Sequence, residues 1–288
     1  MNIFFFGLGF SSLASAQRIR ARHPDAVISG TVRAADKAEA LIAEGFAAHL
    51  FDGTTKNSAL LADLAAATHI VLSIAPDAAG DPALNSFGAE LGGSKNLQWL
   101  GYYSTVGVYG DFGGAWIDEN AICQPINVRS QQRVVAEQTW RDFAQANGVP
   151  LAVLRLAGIY GPGRSTFDKL REGNSRRVIK KDQVFNRIHV ADIARVTALA
   201  AERKLAGTFN MADDEPAPPQ DVIAYAANMA GLTPPPEQPY ETAEMTLMAR
   251  SFYADNKRVS NAAVKHALGI ELLYPTYREG LKAIHDAQ

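Results

Sequence analysis

The first residues whose types and spacing could do chemistry form a glycine turn, Gly7-Leu8-Gly9-Phe10-Ser11-Ser12. It follows an apolar run at residues 3–6 and opens a helical pattern at residues 13–22. Gly7 permits a tight turn, and Gly9 lets backbone N–H groups approach a pyrophosphate. The helix behind them presents its N-terminus to that anion. A third glycine normally allows close helix–strand packing. Here Ser12 holds that place, small but not minimal. The alternative spacing, with glycine at the first, fourth and seventh places, fails because Phe10 and Leu13 stand there. Two glycines are a weak signal alone. Their place after the first strand of a βαβ unit favours dinucleotide binding over a structural turn.

The second strand, residues 27–31, leads into Val32-Arg33. An acid at this point would bond a ribose 2′-hydroxyl and select NAD. Arg33 instead offers a fixed cation for a 2′-phosphate and a plane for adenine, and Lys37 stands one helical turn later. The expected cofactor is therefore NADP(H) in preference to NAD. Asp36 is a rival for the ribose, but it falls inside the helix. Asp52 ends the third strand, where an acid could face the adenine amino group or simply make an Asp-Gly turn. Ala75 and Pro76 close the fourth strand and complete the cofactor set on the first half of the chain.

The elements that must position these residues alternate. Apolar strands at 3–6, 27–31, 47–51, 70–74, 97–103 and 151–156 are separated by helical patterns, among them 82–91 and the long 128–146. Strands apolar throughout, alternating with helices, mean a parallel sheet covered on both faces. The expected fold is α/β, a doubly wound parallel Rossmann-type sheet with a smaller C-terminal substrate domain. Residues 1–157 form the dinucleotide-binding domain. Residues 158–288 are mainly substrate-binding, with 186–212 returning to the sheet. Helices are expected at 192–201, 220–230, 257–268 and 277–287.

The 288 residues are 47% hydrophobic with a formal charge of −2, enough for a large core and without the basic excess nucleic acid favours. One cysteine, Cys123, excludes an intrachain disulfide and fits a cytoplasmic protein. No apolar run reaches membrane-spanning length, and no signal peptide is read at the N-terminus. No metal-ligand spacing is present, and Ser104 lacks a nucleophile-elbow context.

Three further motifs carry a resemblance: Tyr102-Tyr103-Ser104-Thr105-Val106-Gly107-Val108-Tyr109-Gly110, Arg155 through Gly163, and Arg187-Ile188-His189-Val190-Ala191-Asp192. Together they resemble the extended short-chain dehydrogenase/reductase superfamily of NAD(P)-dependent epimerases and dehydratases, over most of the chain. The resemblance implies hydride transfer between nicotinamide and a small polar substrate, sugars among them, in a cleft between two domains. It implies that Thr105 bonds the substrate oxygen, and that the backbone of Gly158 and Ile159 lies near the nicotinamide amide. It also implies a Tyr-x-x-x-Lys pair on the next helix. This sequence departs there: Arg129 stands in place of the tyrosine and Arg133 in place of the lysine.

A guanidinium stays protonated and cannot shuttle a proton. Arg133 could still serve the nicotinamide ribose, or simply pair with Glu137 one turn on. Arg129 could bind an anionic substrate group. Tyr109 is then the candidate acid, or else a buried packing residue. Arg171, Arg176 and Arg177 form a basic cluster, read as substrate recognition or as a solvated face. His189 is read as structural. Two functions stay open: an NADP(H)-dependent oxidoreductase or epimerase/dehydratase-like enzyme, and a catalytically degenerate NAD(P)-binding sensor or scaffold. The expected partner is a small-molecule substrate, with a homodimer through the helix bearing Val134, Val135, Trp140 and Phe143 as a further expectation.

Overall fold

The computed structural model describes residues 1–287, without the side chain of Met248. The chain divides into two compact units. The first comprises Met1–Thr105, Val128–Arg155 and Ile193–Phe209. Its elements are β1 (Asn2–Phe6), α1 (Phe10–Arg22), β2 (Val27–Val32), α2 (Ala35–Ala43), β3 (Ala47–Leu50), α3 (Ser58–Ala66), β4 (His69–Leu72), α4 (Pro82–Gly92), β5 (Trp99–Thr105), α5 (Val128–Asn147), β6 (Leu151–Leu156), α6 (Val190–Glu202) and β7 (Gly207–Met211). The last three run across the boundary between the units. The seven strands form one sheet in the order β7-β6-β5-β4-β1-β2-β3. The strand order reverses at β1, whose neighbours β2 and β4 both run parallel to it. In open α/β sheets the ligand crevice lies at the carboxyl ends of such strands.

Strand alternation sends side chains to two covered faces. Phe4, Phe6, Leu100 and Tyr102 join a core with Leu60, Phe87 and Trp140 from α3, α4 and α5. On β5 the next residue, Tyr103, bonds at its hydroxyl to Ser15 of α1 and Thr197 of α6, each at 2.7 Å. These bonds explain how a fully buried phenol is tolerated in a core. Burial pushes its pKa up to about 12. Of the apolar residues expected on α5, Trp140 and Phe143 pack into the sheet core, while Val135 is exposed.

The second unit comprises Val106–Asn127, Leu156–Asp192 and Asn210–Gln288. It is built from three short parallel strand pairs. Gly158–Tyr160 pairs with Arg187–His189, Arg177–Ile179 with Glu237–Pro239, and Trp116–Ile117 with Arg258–Val259. Helices Pro219–Met229 and Tyr277–Asp286 enclose a core with Tyr160, Phe167, Val222 and Leu281. The helix expected over 257–268 starts only at Ala262. Arg258 N and Ser260 N donate to Ala115 and Ile117 carbonyls, and Val259 N donates to Asn186 Oδ1, which holds this stretch extended. Asp192 accepts the Leu273 and Tyr274 N–H groups at 2.6 and 3.1 Å, fastening the start of α6 to that distant loop.

Two buried histidines give the fold an acid limit. Burial pushes His69 in the first unit and His189 in the second down to a pKa of about 4. Unfolded, each titrates near 6.5. Between these values the unfolded chain binds more protons, so stability falls as pH drops from about 6.5 to about 4, by up to about 3 kcal/mol per histidine. Asp213 acts oppositely. Burial pushes its pKa up to about 8, so its contribution is fully present below its unfolded value and is lost as pH rises through about 8. The expected result is a Tm that declines on acidification below about pH 6.5, with a shallower slope in His69→Gln. A flat wild-type profile by circular dichroism would contradict it.

Candidate functional site

The glycine turn lies at the carboxyl end of β1. Gly7 has φ +93°, a conformation that a side chain would strain. Its N–H donates to Thr31 Oγ1 at 2.9 Å, and Leu8 N donates to Thr31 O at 2.8 Å, tying the turn to β2. A Cβ on Gly7 would stand 3.3 Å from Ile74, so the turn also abuts the segment after β4. Gly9 is different: a Cβ there would meet nothing within 4 Å, so the space over it is open. Helix α1 begins at once with Phe10, earlier than its sequence pattern suggests. No side chain caps it, and its first turn holds no acid. Its N-terminal dipole and amide donors therefore suit an anion.

The close packing expected of a third glycine is divided between two residues. Ser12 is fully buried, with its hydroxyl lacking a partner among the described residues. Ser11 is buried beside it, and its carbonyl accepts from Ser15 Oγ. Gly30 on β2 supplies the rest: a Cβ there would stand 2.6 Å from Phe5 O and 2.9 Å from Leu8. The turn, the open space at Gly9 and the uncapped helix fit a dinucleotide pyrophosphate.

Arg33 follows β2 directly and Lys37 lies in the first turn of α2. Both are exposed, and neither side chain has a hydrogen-bond or ion-pair partner among the described residues. Asp36 spends an oxygen on the Lys37 N–H at 2.8 Å. Asp52 caps its own loop, accepting the N–H and hydroxyl groups of both Thr54 and Thr55. The Thr55 and Thr54 N–H groups hold its carboxyl well below the usual range. After β4, Ala75 is exposed and Pro76 buried, in the segment that touches Gly7.

At the carboxyl end of β5 stand Ser104, which is buried, and Thr105, which is half-buried. Arg133 on α5 donates through Nη1 to Tyr103 O at 2.5 Å and to the Tyr102 hydroxyl at 3.3 Å. Its guanidinium also lies 5.6 Å from the Tyr102 ring centre. It does not pair with Glu137. That carboxylate, itself buried, accepts from Ser104 Oγ at 2.5 Å, from Arg155 at 3.1 and 2.7 Å, and from Arg141 at 3.2 Å. Arg129 is exposed at the start of α5 and has no side-chain partner among the described residues. The sequence pattern around Glu137 gave no sign of this buried network.

In the second unit Tyr109 is fully buried, and its hydroxyl donates to Asn210 Oδ1 at 2.7 Å. That is the geometry of a packing phenol rather than of a proton donor facing a ligand. Gly158 and Ile159 form a strand paired with Arg187 and Ile188. The basic cluster is largely spent on neighbours. Arg171 pairs with Asp168 at 2.5 Å, Arg176 donates to the Glu244 carbonyl, and Arg177 pairs with Glu237 at 2.8 Å. His189 is wedged against Tyr274 and Tyr160, with Nδ1 accepting the Ala191 N–H. A Tyr-x-x-x-Lys spacing does occur elsewhere, at Tyr253 and Lys257. Residues 255–257 are not helical, and Lys257 Nζ is bonded to Gly110 O and Asp255 instead. No group of three metal-ligating side chains occurs among the described residues, and no helix there is long and apolar enough to cross a membrane.

The strand order, with the glycine turn at its reversal point, defines a dinucleotide-binding α/β protein of the Rossmann type. Residues 89–212 match the model of the NAD dependent epimerase/dehydratase family. Over that stretch, less than half of the chain, the sequence is similar to that family. A functionally unknown conserved protein from Silicibacter pomeroyi is 44% identical over 99% of this chain and 98% of its own, with a TM-score of 0.90. The dTDP-glucose 4,6-dehydratase of Bacillus anthracis, in complex with NAD, shares the fold at 16% identity, covering 99% and 96% of the two chains with a TM-score of 0.79. A human epimerase family protein with NADPH shares it at 17% identity, covering both chains fully with a TM-score of 0.73. No curated protein matches the sequence.

Proposed function

We propose that this protein is an NADP(H)-dependent oxidoreductase or epimerase/dehydratase acting on a small polar, sugar-like substrate. The observation that carries the cofactor choice is the unpartnered Arg33 beside an uncapped glycine turn. The human relative's NADPH is consistent with it, although the Bacillus enzyme holds NAD. Gly7, Gly9, Phe10, Ser11 and Ser12 hold the pyrophosphate, and Arg33 with Lys37 takes the 2′-phosphate. Ala75 and Pro76 border the same edge, and Asp52 shapes the loop after β3. The cofactor supplies or accepts hydride. Thr105 holds the substrate oxygen, and Arg133 stabilises negative charge there or holds the ribose. The proton comes from solvent through the Thr105 hydroxyl, because a guanidinium cannot give it.

Titration with NADPH and NADH tests this reading. NADPH is expected to bind more tightly, and Arg33→Ala to weaken it by about 1.5–3 kcal/mol, the scale of a charge-assisted hydrogen bond. Equal affinity for both nucleotides, or an unchanged Arg33→Ala, would refute the role of Arg33. A second reading, a dinucleotide-holding sensor, is favoured by the buried, bonded Tyr109. Hydride transfer to any member of a carbonyl-substrate panel, followed at the nicotinamide absorbance, would exclude it.

A further inference from the structure

The glycine turn has fewer free donors than its length suggests. The Gly7 and Leu8 N–H groups are spent on Thr31 Oγ1 and Thr31 O, at 2.9 and 2.8 Å. Leu13 N donates to Gly9 O at 2.8 Å as α1 begins. That leaves the N–H groups of Gly9, Ser11 and Ser12, none of which has an acceptor among the described residues. Residues 7–13 include no basic side chain. A pyrophosphate held against this turn presents more acceptor oxygens than those amides can satisfy, so a further donor has a place to fill.

The side chain placed to fill it is Ser73. It follows β4 directly, and its N–H donates to Phe6 O at 3.0 Å, which carries the β1–β4 ladder one residue past the strand. Leu72 and Ile74, on either side of it, both pack into the core with the residues of α3, α4 and α5. Alternation therefore turns Ser73 to the opposite face of the sheet. That is the face α1 covers, where Ser15 bonds the Tyr103 hydroxyl. Ser73 thus stands at the carboxyl end of the sheet, on the side where α1 starts and where the strand order reverses. Its Oγ lies 3.6 Å from the position a Gly7 Cβ would take. The residue is half-buried, and its hydroxyl has no partner among the described residues. Solvent reaches that oxygen, whereas the unpartnered Ser12 hydroxyl is closed in.

We propose that the Ser73 hydroxyl donates to the pyrophosphate of the bound dinucleotide, completing a set made with the Gly9, Ser11 and Ser12 amides. Naming the anion rests on the proposed function, but not on its choice of NADP(H) over NAD(H), because both carry the pyrophosphate. Every donor in the set is neutral, so amide and hydroxyl dipoles with the α1 N-terminus supply the attraction. Gly7 contributes its left-handed conformation and the room beside Ser73, not a donor. Ser73 and Arg33 then divide the work: Ser73 tightens either cofactor, and Arg33 discriminates between them.

The test is calorimetric titration of the full chain, wild type and Ser73→Ala, with NADPH, NADH, ADP-ribose and adenosine 2′-monophosphate. All but the last carry the pyrophosphate. Ser73→Ala is expected to weaken those by a similar factor, about 10-fold or more, the scale of a hydrogen bond to a charged group, and to leave adenosine 2′-monophosphate unchanged. Arg33→Ala, by contrast, should weaken adenosine 2′-monophosphate along with NADPH. Because the Ser73 hydroxyl bonds nothing in the protein, Ser73→Ala should keep the wild-type Tm without ligand. A fall in that Tm, or an equal loss for adenosine 2′-monophosphate, would mark a structural role and overturn the proposal. NADPH and ADP-ribose bound by Ser73→Ala as tightly as by the wild type would overturn it too, while leaving the dinucleotide reading intact. A wild type that binds neither would overturn both.

Discussion

Glu137→Gln is expected to lower stability by about 3–5 kcal/mol, a fall in Tm on the order of 10 °C. Glu137 is buried on α5 and compensates the buried Arg155 of β6 through two hydrogen bonds, at 3.1 and 2.7 Å. It also accepts from Ser104 on β5 and Arg141 one turn further along α5. Arg141 in turn donates to Thr208 on β7. One carboxylate thus ties a helix to neighbouring strands of the sheet. Removing its charge leaves Arg155 desolvated beside a group that cannot neutralise it, which is the costly way to break a buried pair. Ser104→Ala removes only one acceptor–donor bond and should cost about 1 kcal/mol. Thermal unfolding of the two variants separates the charge from the hydrogen bond. A Glu137→Gln loss no larger than that of Ser104→Ala would show that the ion pair contributes little.

This network also shows what the sequence could and could not tell. The strands were legible because β1, β4 and β6 are largely apolar, Arg155 and His69 apart, and the glycine turn was legible because it closes the first of them. Helix α1 starts earlier than its pattern predicts, since Phe10-Ser11-Ser12 have weak helix propensity and tertiary burial overrides it. The short strand Arg258–Val259 falls where the local pattern predicts helix, because its partner lies far away in sequence, at Trp116–Ile117. Charged side chains were the least legible. Glu137 and Arg133 have the spacing of a helix-surface pair, yet Glu137 turns to Arg155 and Arg133 to the Tyr103 carbonyl. The basic run 171–177 suggested a binding patch, but its charges are mostly taken by Asp168 and Glu237.

The same distinction governs Arg133→Met, for which kcat/KM with NADPH and a carbonyl substrate is expected to fall by about 10²–10³, or about 2.7–4 kcal/mol. Because Glu137 is engaged elsewhere, the Arg133 charge is not consumed by its own helix. The Tyr103 carbonyl anchors one nitrogen, Nη1, while Nε and Nη2 have no partner among the described residues. That leaves a cation held rigidly at the carboxyl end of β5, the strand that ends in Thr105. A fixed positive charge needs no reorganisation as negative charge develops on a substrate oxygen, so it acts mainly on the transition state. The loss should therefore fall on kcat, and Arg133→Lys should recover only part of it, because a flexible ammonium lacks the planar anchor. If the loss appears instead as an equal weakening of NADPH binding, Arg133 serves the ribose and not the reacting oxygen. If both parameters stay at the wild-type level, the catalytic cation is not on α5.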